Sequence, residues 1–211
     1  MPVIDTTIYH SRPQTNEGRL PKEIRTYDLL DKLHIPYLRV DHEIMNTVAD
    51  CDQVDTLLGI EICKNLFLCN SQKTEFYLLM MPGSKKFKTA VFSKLIGSPR
   101  LSFAPPEYME KFLDLTPGSV TVLGLMNDTK HRVHLYIDKE IADSEYIGCH
   151  PCINTSSLRI KTSDIFEKFL PCTDTQQGSW SFRRNRSSVP FFCNLTLFFI
   201  DAVLRYNTAH H

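Results

Sequence analysis

Ile62-Cys63-Lys64-Asn65-Leu66-Phe67-Leu68-Cys69, then Ser71-Gln72-Lys73-Thr74, then Glu75-Phe76-Tyr77-Leu78-Leu79-Met80-Met81 set two apolar runs around a polar turn. Both runs are rich in strand formers, so the stretch predicts a β-hairpin, closed by Pro82-Gly83. Lys64 stands inside the first run. A lysine there is costly unless its charge has a partner or a task. It also fits a strand edge from which the ammonium reaches water.

Upstream of the hairpin, Pro21 suits a first helical position. Ile24, Tyr27, Leu30 and Leu33 follow at helical spacing and predict a helix over 22–34, ended by His34-Ile35-Pro36. Tyr37–Asp41 alternates like a strand, and a helix over 49–58 stops at Gly59. Downstream, the pattern predicts a short helix over Thr89–Leu95. Another opens at Pro105-Pro106, with Tyr108, Met109, Phe112 and Leu113 on its inner face. Strands are expected over 120–125, 132–137 and 157–160, and Thr162 or Ser163 can cap a closing helix over 164–170. Helices and strands interleave without a βαβ period and several turns are short. The fold class is therefore α+β, a mixed and largely antiparallel sheet surrounded by helices. One domain is expected over 22–173, with a loose polar arm before it (1–21) and a tail after it (174–211).

The 211 residues are 42% apolar and 23% charged, ordinary for a globular protein. The longest apolar stretch, near 191–204, is broken by Asn194 and Asp201 and is too short for a membrane span. Seven cysteines without an export signal predict reduced thiols and a cytoplasmic protein. Net charge is zero but unevenly spread. Residues 76–104 hold Lys85, Lys86, Lys88, Lys94 and Arg100 with no acid, whereas 41–61 hold Asp41, Glu43, Asp50, Asp52, Asp55 and Glu61. A positive face of this kind attracts phosphates, although solvated loop lysines give the same pattern.

No Gly-rich phosphate loop or dinucleotide fingerprint is present. Cys149-His150-Pro151-Cys152 has C-x-x-C spacing, but no thioredoxin-like context surrounds it. A zinc site needs further ligands, and His131 and His134, three apart on a strand, point to opposite faces. Nucleophilic use of Cys149 by His150 stays open, although neighbours in a strand-like loop diverge.

Several segments together carry a family resemblance. Lys64-Asn65-Leu66-Phe67-Leu68 with Phe76-Tyr77-Leu78-Leu79 resembles the YbaK-like aminoacyl-tRNA deacylases. So do Arg100-Leu101-Ser102-Phe103-Ala104, Thr116-Pro117-Gly118-Ser119-Val120 and Gly124-Leu125-Met126-Asn127-Asp128. Gly148-Cys149-His150-Pro151 is similar to that family's Gly-x-His-Pro motif, Asn154-Thr155 follows it, and 164–170 resembles its closing helix. The matches run in order across 22–171.

Within the family the chain is most similar to free-standing relatives of the prolyl-tRNA synthetase editing domain. The resemblance implies hydrolysis of alanine from mischarged proline tRNA, in trans and without cofactor or metal. It implies the acceptor end of mischarged proline tRNA, and prolyl-tRNA synthetase, as partners. It places Lys64 and His150 in catalysis. It places Gly148, Cys149, Pro151, Ile44, Thr47, Asn65, Asn127, Asp128 and Asn154 around the substrate, and Lys85–Lys88 on the acceptor stem. Two alternatives go with it: a cysteinyl-tRNA deacylase, or a tRNA-binding homologue impaired in turnover.

After Leu170-Pro171-Cys172-Thr173 the resemblance stops. The remaining 38 residues hold Trp180, Phe182-Arg183-Arg184-Asn185-Arg186 and a Phe-rich 191–199 stretch. This tail reads as a divergent C-terminus that packs poorly, as an added element covering the sheet, or as an RNA or partner contact.

Overall fold

The computed structural model describes residues 2–45, 48–174 and 198–200. Thr47 lies outside the described residues, and so does the tail apart from Asp174 and 198–200.

In chain order the elements are α1 (Pro21–Lys32), β1 (Tyr37–Asp41), α2 (Val48–Leu58), β2 (Lys64–Asn70), β3 (Phe76–Met81), α3 (Thr89–Leu95), β4 (Leu101–Phe103) and α4 (Pro106–Leu113). A 3-10 helix (Val122–Asn127), β5 (Val133–Asp138), α5 (Lys139–Asp143), β6 (Tyr146–Cys149) and β7 (Ser156–Lys161) follow. The described part ends with α6 (Thr162–Asp164), a π-helical turn (Ile165–Phe169), α7 (Leu170–Asp174) and β8 (Phe198–Ile200).

The strands form two sheets rather than one. The larger has the order β4-β2-β3-β5-β8, and the smaller, antiparallel throughout, has the order β1-β7-β6. In the larger sheet β2 pairs antiparallel with β3 and β4, while β5 lies parallel to β3 and β8 parallel to β5. The α+β, mixed and largely antiparallel reading therefore holds.

The continuous apolar runs of β2 and β3 are explained by burial on both faces. Cys63, Phe67, Cys69, Phe76, Leu78 and Met80 enter the main core beside Tyr27 and Leu30 of α1 and Met109 and Leu113 of α4. Leu66, Leu68, Tyr77, Leu79 and Met81 pack on the other face with Phe92 of α3. The hairpin turn is held by Asn70, whose Oδ1 accepts from the Thr74 amide at 2.9 Å and the Glu75 amide at 3.3 Å.

Two expectations are corrected. The apolar run over 120–125 is not a strand: from Val122 it winds as the 3-10 helix, capped by Thr121, whose hydroxyl accepts from the Leu123 amide. A short, fully buried apolar run carries no period that separates the two forms. The arm before α1 is not loose. It lies along β1 through bridges Ile4↔His42 and Tyr9↔Arg39, and Arg19 ties it to Glu23 and Asp41, each at 2.7 Å.

Candidate active site

The two sheets meet where β6 approaches the residues leading into β2. Ile62 and Gly148 form an isolated parallel bridge, and the Cys63 amide donates to the Gly148 carbonyl at 3.3 Å. Glycine is needed at this point because a Cβ would lie 2.5 Å from Ile60 Cδ1 and 3.0 Å from Ile62 Cα. Beyond the bridge both segments run in the same direction, and two residues on they carry Lys64 and His150.

Lys64 is the first residue of β2 and is half-buried. β4 pairs only with Leu68–Asn70, so it does not flank Lys64. The Lys64 Nζ donates to the Lys85 carbonyl at 2.8 Å, and no carboxylate pairs with it among the described residues. An ammonium has three donors, so this cation is held in place by a neutral group and, among the described residues, keeps donors to spare. Beside it, Asn65 donates from Nδ2 to the Cys63 carbonyl at 3.2 Å, and its buried Oδ1 has no hydrogen-bond partner.

His150 is buried, with Nδ1 2.9 Å from the Ser156 carbonyl oxygen. A carbonyl can only accept, so Nδ1 carries the proton. Burial, only partly opposed by that hydrogen bond, lowers the His150 pKa to about 4. The ring is neutral at pH 7 and Nε2 presents a lone pair. His42 stands edge-on to it, ring centroids 6.2 Å apart, and burial lowers its pKa as well. By the same argument His42 Nδ1 donates to the Glu43 carbonyl at 2.8 Å, and Nε2 accepts from the Ser157 hydroxyl at 2.9 Å. Neither His42 nor the serines of β7 stood out in the sequence. The only signal was a histidine directly following a predicted strand.

The thiols of the Cys149–Cys152 loop are fully buried. Burial raises the pKa of both, that of Cys152 to about 11, and pushes nearby Cys63 to about 12. They are protonated at neutral pH, which removes the thiolate a nucleophilic Cys149 requires. Among the described residues no three His, Cys, Asp or Glu groups gather in a metal-binding arrangement. Pro151 is buried and Cys152 takes a left-handed φ of 62°, so the loop turns sharply after His150.

Asn154 joins this loop to the segment after β1. Its Nδ2 donates to the Met45 carbonyl at 2.8 Å, while its buried Oδ1 has no hydrogen-bond partner. Gly118, with φ of +88°, lets the chain pass so close that a Cβ would sit 2.9 Å from Asn154 Nδ2. His42 and Asn154 thus hold the carbonyls on either side of Ile44. The Ile44 side chain is 58% exposed while Met45 beside it is buried against Val40, Val54 and Leu58.

Two of the expected residues, Asn127 and Asp128, are not brought to this cluster. Asn127 donates to the Leu113 carbonyl at 2.8 Å. Asp128 accepts the Arg132 amide at 3.0 Å and the Val133 amide at 2.8 Å, starting β5. Val133 pairs with Phe76, whereas Lys64 pairs with Met81 at the other end of β3, roughly 16 Å away at strand spacing. Lys85 is occupied as well: its ammonium pairs with Asp138 and Glu140, both at 2.9 Å. Lys86 and Lys88 remain exposed, without a carboxylate partner among the described residues.

The model of one protein family, the aminoacyl-tRNA editing domain, matches residues 42–168. The chain is 29% identical over 136 residues to the prolyl-tRNA editing protein ProX of Acetoanaerobium sticklandii, covering 64% of this chain and 83% of that protein. It is also 29% identical over 154 residues to the prolyl-tRNA synthetase associated domain-containing protein 1 of Danio rerio, covering 72% and 81%. A crystal structure described as a candidate trans-editing enzyme for prolyl tRNA synthetase superposes with a TM-score of 0.54 at 16% identity, over 71% of this chain and 92% of that one. That likeness supports the fold alone.

Proposed function

Because the chain belongs to the aminoacyl-tRNA editing family, we propose that it is a trans-acting deacylase that hydrolyses a small amino acid, alanine first, from mischarged proline tRNA. One observation carries the reading for this site: an ammonium without a carboxylate partner among the described residues, Lys64, starts the strand that runs beside the Gly148–Pro151 loop. The names of the two relatives support proline tRNA as the substrate.

A synthetase pocket built for proline admits smaller amino acids, and binding alone rejects a smaller apolar side chain poorly. A second site that is too small for proline corrects the error. The bond to be cut is an ester, reactive already, so the site mainly has to hold the substrate and place a water. Lys64 offers a point charge to a phosphate or ester oxygen of the terminal nucleotide. His150, with Nδ1 fixed by the Ser156 carbonyl and a pKa of about 4, acts as an oriented acceptor for water or substrate rather than as a strong base. Gly148, Cys149 and Pro151 form one wall. Ile44, held by its neighbours' carbonyls, forms another, and Asn65 and Asn154 bring buried carbonyl oxygens without hydrogen-bond partners.

The test is to incubate the protein with alanyl-, cysteinyl- and prolyl-tRNA and to follow ester loss. Fast loss of alanine with prolyl-tRNA left intact is expected. Preferential loss of cysteine moves the substrate within the family, and no loss from any of the three sinks the enzymatic reading.

A further inference from the structure

The exposed ring of Phe103 stands out from the rest of the sheet. It is 60% exposed on β4, the outer strand of the larger sheet and only three residues long. Phe103 pairs with Leu68, and Leu68 packs on the α3 side of the sheet. Lys64 belongs to that same side, because residues 64, 66 and 68 alternate with the core-facing 63, 67 and 69, and its partner Met81 packs there too.

A continuous strip joins the two. Lys64 donates to the Lys85 carbonyl, Phe87 follows two residues later, and the Phe87 ring lies 6.2 Å from that of Phe103. Lys86 and Lys88 flank Phe87 in the chain, and Lys94 and Arg100 follow in the same 85–103 segment. All four are exposed, and none has a carboxylate partner among the described residues. No Asp or Glu occurs anywhere in 76–104. An apolar ring set among unpaired cations has the composition of a surface that follows a nucleic acid strand, where bases stack on aromatic faces and cations meet the phosphates.

We infer that this strip is the track for the unpaired 3′ end of the tRNA, with Phe103 as a stacking platform for one base. The inference rests on the functional reading above and names a subsite for it. From Lys64 to the Phe103–Leu68 pair is four residues of strand, roughly 13 Å. That is about four nucleotides at a stacked rise of ~3.4 Å. A strand whose terminal ester lies at Lys64 and His150 therefore places a base at Phe103 before the double-stranded stem begins. Lys86 and Lys88, on either side of Phe87 in the chain, are the cations offered to the backbone of that strand. Lys85, held by Asp138 and Glu140, supports the strip without contacting phosphate.

The experiment compares the full chain with Phe103→Ala and Phe103→Trp. Binding is read from the fluorescence of a 3′-terminal tRNA oligonucleotide carrying 2-aminopurine, and turnover from alanyl-tRNA. Loss of one stacked base weakens binding about 5- to 150-fold. Phe103→Ala should therefore raise Kd and KM by that factor with kcat nearly unchanged and lose the quenching of the probe, while Phe103→Trp restores all three. Unchanged Kd in Phe103→Ala, or equal weakening by both variants, overturns the inference. So does a loss confined to binding of anionic lipid vesicles, or to self-association in sedimentation, with RNA binding intact. The two readings fail separately: a wild-type protein that cleaves no aminoacyl-tRNA yet shows Phe103-dependent quenching loses the enzymatic reading and keeps the track.

Discussion

Replacing Gly148 by alanine should damage both stability and activity, and the size of the effect follows from three contacts. The new Cβ would stand 2.5 Å from Ile60 Cδ1, 3.0 Å from Ile62 Cγ1 and 3.0 Å from Ile62 Cα. The side-chain ends can turn away, but the Ile62 Cα is backbone, so β6 has to withdraw from the 60–62 segment. Overpacking of this kind costs about 1–3 kcal/mol. Stretching the Cys63–Gly148 hydrogen bond, already 3.3 Å long, adds about 0.5–1.5 kcal/mol. A total of roughly 2–4 kcal/mol lowers Tm by roughly 4–16 °C for a chain of this size. His150, two residues along, moves with the strand, and a shift near 1 Å costs on the order of 100-fold in rate. Thermal unfolding by circular dichroism and single-turnover deacylation read the two effects. Adding Ile60→Val removes the atom 2.5 Å away but not the Ile62 backbone, so it should restore only part of Tm and little of the rate. A Gly148→Ala protein with wild-type Tm and wild-type turnover refutes the close-approach argument.

Lys64→Ala should reduce deacylation by about 100-fold or more. Unfolding in urea should change by no more than about 1.5 kcal/mol, since one hydrogen bond to a carbonyl is lost; wild-type turnover removes Lys64 from the chemistry. Asp128→Ala should do the reverse, because the Arg132 and Val133 amides lose their acceptor. It should cost about 2–4 kcal/mol in urea titrations while activity per folded molecule is kept, and a selective loss of kcat at normal stability would return Asp128 to the site. The histidine pair makes stability depend on pH. Folded His150 binds a proton only near pH 4, whereas the unfolded ring binds one near 6.5, so between these values the unfolded state holds more protons. Stability is then fully present above about 6.5 and falls by ~3 kcal/mol on acidification to about 4. His42 acts in the same direction. Urea midpoints from pH 4 to 7 should show this slope and His150→Asn should flatten it; an unchanged slope in that variant contradicts a buried neutral ring.

Most of the fold was legible in the sequence where local signals and burial agree. Pro21 and the Tyr27–Leu30 face begin and bury α1, and the apolar runs around Asn70 make the hairpin. What escaped depends on distant contacts. The 3-10 helix at Val122–Asn127 is set by Thr121 and by packing of Gly124 against Leu115, neither of which has a period. Tyr146–Cys149 is too short to alternate and becomes β6 by pairing with β7. At the site, Lys64, Gly148 and His150 were readable as a motif set. His42, Met45 and the serines of β7 were not, since their roles arise from hydrogen bonds spanning over a hundred residues, such as His42 to Ser157. Asn127 and Asp128 show the converse: polar residues in a matching motif whose side chains close a turn.

The bridge between Ile62 and Gly148 has a dynamic consequence. Each sheet carries its own ladders, but among the described residues this is the one isolated pairing that joins a residue beside β2 to one in β6. The proposed active-site cluster is therefore shared between two sheets, and its assembly can be lost by a partial opening that leaves both ladders intact. The Cys63 amide, which donates across that seam, is the natural reporter. Its hydrogen-exchange protection measures the free energy holding the site together, separately from the free energy holding the protein folded. A substrate that touches both sides of the seam, Lys64 on one and His150 on the other, would slow that exchange while leaving the innermost amides of β3 unaffected.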